Sequence, residues 1–319
     1  MEGDTKHLKT LVIGGAGFLG SHLVPLLIQA GDQVTVQDII SVEAAMKLKH
    51  LTKEVKYSWK SALDSTKEDL EPYDRIVHLA AQGDAPLAAS SPKWTFSLNL
   101  DATLAVLEAA RHRLIAGHSS PFKIVFMSSD SVYGYIPIEK LPVTEDGPMK
   151  PANTYGASKA AAEMLIHAYR TQWNLPVMVL RSTTMFGEGS RLAQAIPIFI
   201  RQATRNEPIT LEGDGSQTRD INYVKNTANA ILSALDSPMT YGTWNIGSGQ
   251  ETSVRELAEL ILKLTDSRSE ITNKPWRPGE RGLRLFLSIE KARKELSYVP
   301  QYSHEEGLGR TIEWIKQLG

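Results

Sequence analysis

The sequence predicts an α/β protein: a doubly wound parallel sheet followed by a smaller C-terminal α/β portion. Three observations predict it. The apolar run Leu11-Val12-Ile13 ends in glycines and leads into a helical stretch at 18–30, which Gly31-Asp32 closes before a second apolar run, Val34-Thr35-Val36. Further apolar runs at 75–79, 123–127 and 177–180 alternate with helical stretches at 92–116 and 154–173. Continuous apolar runs of strand length suit a sheet buried on both faces, and alternating strands and helices give parallel order. After Arg181 the texture changes. Gly187-Glu188-Gly189, Pro197, Pro208 and Gly213-Asp214-Gly215 interrupt the chain, and helical stretches fall at 192–206, 253–264 and 305–318. The chain therefore divides into 1–181 and 182–319, with a return to the first portion expected around 219–246.

Bulk composition narrows the class. Lys and Arg number 35 against 36 Asp and Glu, so no charge excess points to nucleic acid or an anionic membrane. No apolar run is long enough for a transmembrane helix, and the polar start of the chain lacks the apolar core of a secretory signal. The chain has no cysteine, which excludes disulfides, thiol catalysis and thiolate-bound metal. The expected location is cytoplasmic. The 8 histidines show no metal-ligand spacing, and no metal site is expected. His78, Trp94 and Trp173 read as packing residues, and His112 and His118 as helix-end or loop residues.

The first chemical motif is Gly14-Gly15-Ala16-Gly17-Phe18-Leu19-Gly20, set between a strand and a helix. Gly14 permits the tight turn, Gly17 lets backbone approach a pyrophosphate, and Gly20 allows close packing of helix on strand. The helix N-terminus adds free N–H groups and a favourable dipole. A glycine trio alone is weak evidence, but here the strand and helix it requires flank it. Asp38 closes the second strand, where a carboxylate accepts both ribose hydroxyls of NAD and repels the 2′-phosphate of NADP. No Lys or Arg follows until Lys47. NAD is the expected cofactor.

The second motif is Tyr155-Gly156-Ala157-Ser158-Lys159. On a helix, Tyr155 and Lys159 share a face. For Tyr155 to act as a base near neutral pH, its pKa must fall from about 10 to about 7, which takes about 4 kcal/mol. A cation about 4 Å away supplies roughly that much at an effective dielectric near 20. Tyr-x-x-x-Lys is common by chance. Here it follows a complete nucleotide-binding half, and Ser129 ends a strand, where ligands of open α/β sheets bind. The pair points to redox chemistry at a hydroxyl carbon.

With these residues in place, the chain resembles the extended short-chain dehydrogenase/reductases, the family of NAD-dependent nucleotide-sugar epimerases and dehydratases, over essentially its whole length. Supporting motifs are His78-Leu79-Ala80-Ala81, Asn99, Met127-Ser128-Ser129-Asp130-Ser131-Val132-Tyr133-Gly134, Gly213 to Asp220, Asn245-Ile246-Gly247-Ser248-Gly249 and Arg277-Pro278-Gly279-Glu280. The resemblance implies a Rossmann nucleotide-binding domain and a mainly substrate-binding second portion. It places Phe18, Leu19, Leu79, Ala80, Ala81 and Asn99 with the glycines and Asp38 around NAD. Ser129 would hydrogen-bond the reacting sugar oxygen, and Tyr155 would take the proton from the 4-hydroxyl while hydride passes to NAD. Lys159 would bind the nicotinamide ribose, and Arg219 and Arg277 would grip the diphosphate of a nucleotide sugar, most commonly a UDP-sugar. It also implies a homodimer through helices such as the one carrying Leu98, Leu100, Leu104 and Leu107.

The reactions of this family all begin with oxidation at C4. The dehydratases place Thr-Asp-Glu where this chain has Ser129-Asp130-Ser131, so the acid is matched by Asp130 and the Glu base is replaced by a serine. A decarboxylase of the glucuronate type also expects that Glu. A 4-epimerase needs neither, and this is the expected reaction. A 4,6-dehydratase, another 4-keto-sugar enzyme and a non-catalytic nucleotide-binding protein are the alternatives. Departures from the family pattern fall at substrate contacts: Ser182-Thr183-Thr184 after the sixth-strand arginine, Ser61-Ala62 at the adenine edge, Ala88 for a serine near the sugar, and Lys225-Asn226 for an acidic pair. Asp84 is positioned to compensate for Ala88, and Thr184 to contact substrate.

Overall fold

The computed structural model describes residues 7–41, 43–44, 54–117, 121–276 and 281–318. Seven strands form one parallel sheet: β1 (Lys9–Ile13), β2 (Gln33–Asp38), β3 (Lys56–Trp59), β4 (Arg75–His78), β5 (Lys123–Ser129), β6 (Val177–Ser182) and, after an excursion, β11 (Gly242–Ile246). Their spatial order is β11-β6-β5-β4-β1-β2-β3. The order reverses beside β1, whose Ile13 registers with Gln37 of β2 on one side and His78 of β4 on the other. A crevice opens beyond the carboxyl ends of strands at such a reversal.

Successive side chains of a strand face opposite ways, and the apolar runs use both faces. Leu11 and Ile13 join Ile76, Ile124 and Phe126 under helices α5 (Ala102–Ile115) and α6 (Thr154–Trp173). Val12 joins Val36, Val77, Val125 and Leu180 on the other face, under α1 (Gly20–Gln29) and α8 (Val224–Asp236). Short helices α2 (Lys67–Leu70), α3 (Ala85–Ser90) and α4 (Pro92–Phe96) fill the connections, and α4 runs into α5 through a π-helical turn at Ser97–Asp101. Of the two tryptophans read as packing residues, Trp173 sits against the core in a tilted ring contact with Tyr169, but Trp94 is 49% exposed.

The second half is made of β7 (Thr184–Phe186), α7 (Ala195–Thr204), β8 (Ile209–Glu212), β9 (Thr218–Arg219) and β10 (Ile221–Tyr223), then, beyond β11, β12 (Thr252–Ser253), α9 (Val254–Thr265), β13 (Ile271–Lys274), β14 (Arg284–Leu285), α10 (Glu290–Leu296) and α11 (His304–Lys316). β10 pairs with β7 and β9 with β12 and β14, so the strand that rejoins the large sheet is β11, preceded by α8 on the sheet face. The core under β1 continues without a break into Ile200, Leu211, Ile261 and Ile312 of α7, β8, α9 and α11. The two halves share a core. β3 was not expected from sequence. Its segment Lys-Tyr-Ser-Trp is half-exposed at the sheet edge and lacks the apolar run of the inner strands.

Candidate active site

A cavity of about 750 Å³ lies over the reversal point. Its near wall is the glycine turn. Gly14 holds φ +82, and a Cβ there would sit 2.4 Å from the Ala80 backbone nitrogen. Only glycine fits a left-handed backbone pressed against another chain segment. A Cβ on Gly17 would meet just the Gly14 carbonyl, at 3.3 Å, so this glycine faces open space where a phosphate can approach. A Cβ on Gly20 would lie 2.3 Å from the Gly15 oxygen; the contact that requires glycine is with the turn itself, not with the strand. No side chain caps the N-terminus of α1. That leaves the positive end of its dipole facing the cavity, while the Ser21, His22 and Leu23 N–H groups bond the Gly17 and Leu19 carbonyls.

Asp38 ends β2 and lines the cavity. Its carboxylate accepts the Ala16 N–H at 3.0 Å and the Ile40 N–H at 3.1 Å, which ties the glycine turn to the strand. Ser61 and Ala62 line the same end, as does Lys60, whose ammonium is held by Asp69 at 2.6 Å. Leu79, Ala80 and Ala81 continue the wall beyond β4. Asn99 does not line the cavity. It is buried in the π-turn, where its amide accepts from the Gln82 N–H at 2.7 Å and donates to the Gln82 carbonyl and to Ser158 Oγ at 2.9 Å. It clamps the loop after β4 to the helix that carries Tyr155.

That helix, α6, starts at Asn153, whose side chain accepts the Gly156 N–H at 2.8 Å. Tyr155 in its first turn and Lys159 one turn on both line the cavity, with Ser129 at the end of β5. Ser129 Oγ accepts the Ser131 N–H and donates to Asp130 Oδ1 at 3.1 Å. The Lys159 ammonium donates to the Met127 carbonyl at 2.8 Å and lies over the Phe126 ring. Burial pushes it down to about 8, against the pull of Glu163. Burial pushes Tyr155 up to about 12, and the Asp130 charge adds to the rise, while the Ser129 hydroxyl and Arg191 act downward. The Lys159 ammonium is held by a backbone carbonyl, and the downward pull on the phenol comes from Ser129 and Arg191.

Asp130 is buried beside this pair. Burial pushes it up to about 6, and Arg219 and the flanking serines pull it back. Ser131 lines the cavity and carries only a hydroxyl. Behind the wall, Glu163 is bound by the Nε–Nη2 edge of the Arg181 guanidinium, whose Nη1 donates to Tyr133. Tyr133 in turn donates to Asn245 of β11, so a closed polar network supports the Lys159 end of the helix.

The substrate side is a different matter. Thr184 is exposed at the cavity edge, and Thr183 is buried in its wall. Arg219 is half-buried near Asp130, outside the cavity lining, and Arg277 lies outside the described residues, as do Lys47 and His118. Asp84 is not free to replace a missing serine: it caps α3 through the Leu87 N–H and pairs with Arg191 at 2.7 Å. Arg191, which lines the cavity, was missed because nothing in the sequence distinguishes it from a surface arginine. Asp220 binds the Ser248 N–H and hydroxyl and the Gly249 N–H, which fixes the loop after β11.

A glycine-turn cradle closed by an acidic strand end, with serine, tyrosine and lysine at the far end of one cavity, defines a dehydrogenase-type nucleotide enzyme. A family model, the NAD dependent epimerase/dehydratase family, matches residues 10–247, and the chain belongs to that family. It is 34% identical to a putative UDP-glucose 4-epimerase of Methanocaldococcus jannaschii over 96% of this chain and 98% of the relative. It is 31% identical to the dTDP-glucose 4,6-dehydratase of Salmonella typhimurium over 96% and 92%. The crystal structure of UDP-glucuronic acid 4-epimerase from Bacillus cereus, in complex with UDP-glucuronic acid and NAD, superposes with a TM-score of 0.87 at 27% identity and covers 98% of this chain and all of that one. NAD is the cofactor of the family. The residues present fit it: the Gly17 approach is open, the α1 N-terminus is uncapped, and Asp38 closes the ribose end.

Proposed function

We propose that the protein is a cytoplasmic, NAD-dependent nucleotide-sugar 4-epimerase. The observation that carries this reading is that Tyr155 and Ser129 line one cavity with Ser131, a serine where the family resemblance puts the glutamate base of the dehydratases. NAD supplies the hydride acceptor when bound. Tyr155 accepts the proton of the sugar 4-hydroxyl, and Ser129 hydrogen-bonds the same oxygen. A phenol held up by burial and the Asp130 charge is a poor base, and a positively charged nicotinamide, when bound, would supply a further downward pull. After oxidation, the 4-keto sugar would turn its other face to the cofactor, which would return the hydride while Tyr155 gives its proton back to the oxygen. A hydroxyl at 131 cannot abstract the C5 proton, which disfavours elimination of water.

Relatives with epimerase and dehydratase names match to similar extents, so the discrimination rests on Ser131. Asp130 supports the dehydratase alternative, because a buried carboxyl near 6 is able to donate a proton. The test is direct. The enzyme is incubated with UDP-, dTDP-, GDP- and CDP-sugars and the products are identified by NMR. A 4-epimer is expected; a 4-keto-6-deoxy sugar overturns the assignment in favour of dehydration. The same reading includes a homodimer. Trp94, Leu104 and Met164 of α4, α5 and α6 are exposed apolar residues that such an interface would cover. Sedimentation at a mass of one 35.2 kDa chain would rule the dimer out.

A further inference from the structure

We propose that Lys60 reads the purine base of the dinucleotide, and that through it the site takes a 6-oxo purine at least as readily as adenine. The place of the base follows from the sheet. Gly17 gives a pyrophosphate its approach, and Tyr155 and Lys159 stand on the β5 side of the glycine turn. A dinucleotide with its nicotinamide at that end lays its other nucleoside over the ends of β2 and β3. There the cavity is lined by Ile39 and Ile40 after β2 and by Lys60, Ser61, Ala62 and Leu63 after β3. Beyond the Asp38 carboxylate at the ribose, Lys60 carries the one charge on this part of the lining among the described residues.

An ammonium is a donor only. Along the edge that carries position 6 and N7, adenine sets an amine donor beside one acceptor, whereas a 6-oxo purine sets two acceptors side by side. The ammonium matches the second pattern and opposes the amine of the first. The acceptors that such an amine would need are engaged. Both Asp38 oxygens take backbone N–H groups, from Ala16 and Ile40. The Ile39 carbonyl accepts from Trp59 Nε1 at 3.0 Å, and the Ser61 carbonyl from Gln37 Nε2 at 3.3 Å. Ser61 Oγ accepts the Leu63 N–H at 3.2 Å. The sequence from 44 to 53 holds no Asp or Glu. Lys60 itself is free to turn to a base. Its pair with Asp69 is partly open, with the side chains 30% and 25% exposed, and such pairs are weak. Asp69 lies outside the cavity lining, and its Oδ2 also accepts the Thr66 N–H at 2.7 Å and the Thr66 hydroxyl at 2.8 Å, so it stays bonded without the ammonium. The Lys60 N–H meets the Asp38 carbonyl at 3.2 Å, which roots the side chain beside the ribose end.

The test is a pair of titrations. Protein stripped of nucleotide is titrated calorimetrically with NAD and with nicotinamide hypoxanthine dinucleotide, which carries an oxo group in place of the adenine amine. The wild type is expected to bind the hypoxanthine dinucleotide at least as tightly as NAD. Lys60→Met keeps an unbranched stem and removes the charge; it is expected to weaken the hypoxanthine dinucleotide about tenfold and NAD by about threefold at most. A disturbed fold or cradle would weaken both dinucleotides alike, so the selective loss reports the base contact. A wild type that binds NAD the more tightly overturns the proposal. So does a Lys60→Met protein in which the two affinities change equally or not at all. Both readouts are binding, so they hold whichever sugar reaction the enzyme performs.

Discussion

Tyr155 and Lys159 share a cavity wall, yet burial acts on them in opposite directions: the phenol is pushed up to about 12 and the ammonium down to about 8. Both changes oppose ionisation, as desolvation must. Near neutral pH the phenol is therefore held in its neutral form, and on the proposed reading a positive cofactor beside it would favour its ionisation. Removing the hydroxyl tests this without disturbing the cradle. Tyr155→Phe is expected to lower kcat by a factor of about 100 to 10,000. NAD should remain bound, because the glycine turn and Asp38 lie at the other end of the cavity. Substantial turnover in that variant would mean that another group takes the proton. At this scale the sequence was informative where the backbone demands a residue type. Gly14 at φ +82 and the Tyr155/Lys159 spacing were both legible. Asn99 was legible as important but not in its role, because its partners, Gln82 and Ser158, come from distant segments. Arg191 was invisible for a related reason: its significance lies in which wall the loop after β7 is folded against.

The inner elements were the most readable. β1, β4, β5 and β6 are buried on both faces, so their apolar runs follow from position in the sheet. β3 at the edge carries no such constraint and gives no such signal. The short strands β9, β12 and β14 are set by tertiary partners. Their three-stranded sheet is braced by the Arg284–Glu251 pair and by the Thr218 hydroxyl on the same carboxylate. Asp220, at the end of β9, links this sheet to the loop after β11. Burial pushes its carboxyl up to about 7, so the charged form is disfavoured in the fold. An unfolded aspartate titrates near 4. Above about pH 7 the native state carries the cost of that charge; the cost fades as pH falls toward 4, where the group is protonated in both states. Buried neutral His78 has the opposite dependence over much of this range. The informative quantity is therefore a difference: wild type should gain stability relative to Asp220→Asn as pH falls from 7 to 4, read from denaturant midpoints. A pH-independent difference would show that Asp220 keeps an ordinary pKa.

At the scale of the whole molecule, the division made from texture at Arg181 is not a break in packing. The core runs from Val12 and Leu180 of the sheet to Ile261 of α9 and Ile312 of α11. A sequence reading sees the shift to shorter strands but not the shared core, because the contacts are between residues far apart in the chain. The consequence for stability is cooperative unfolding. Ile261 is fully buried, and Ile261→Ala should cost about 2–5 kcal/mol and lower one common transition in calorimetry. Two separated transitions, with only the second displaced, would show that the halves unfold independently.

The Asn99 clamp bears on what moves during turnover. One amide fastens the loop beyond β4, at the dinucleotide cradle, to the helix that presents Tyr155. The loop at the cradle and the helix of Tyr155 are thus tied to one another through a single side chain. On the proposed epimerase reading, a tie of that kind assigns the swivel to the sugar ring and leaves the protein as the stationary jig.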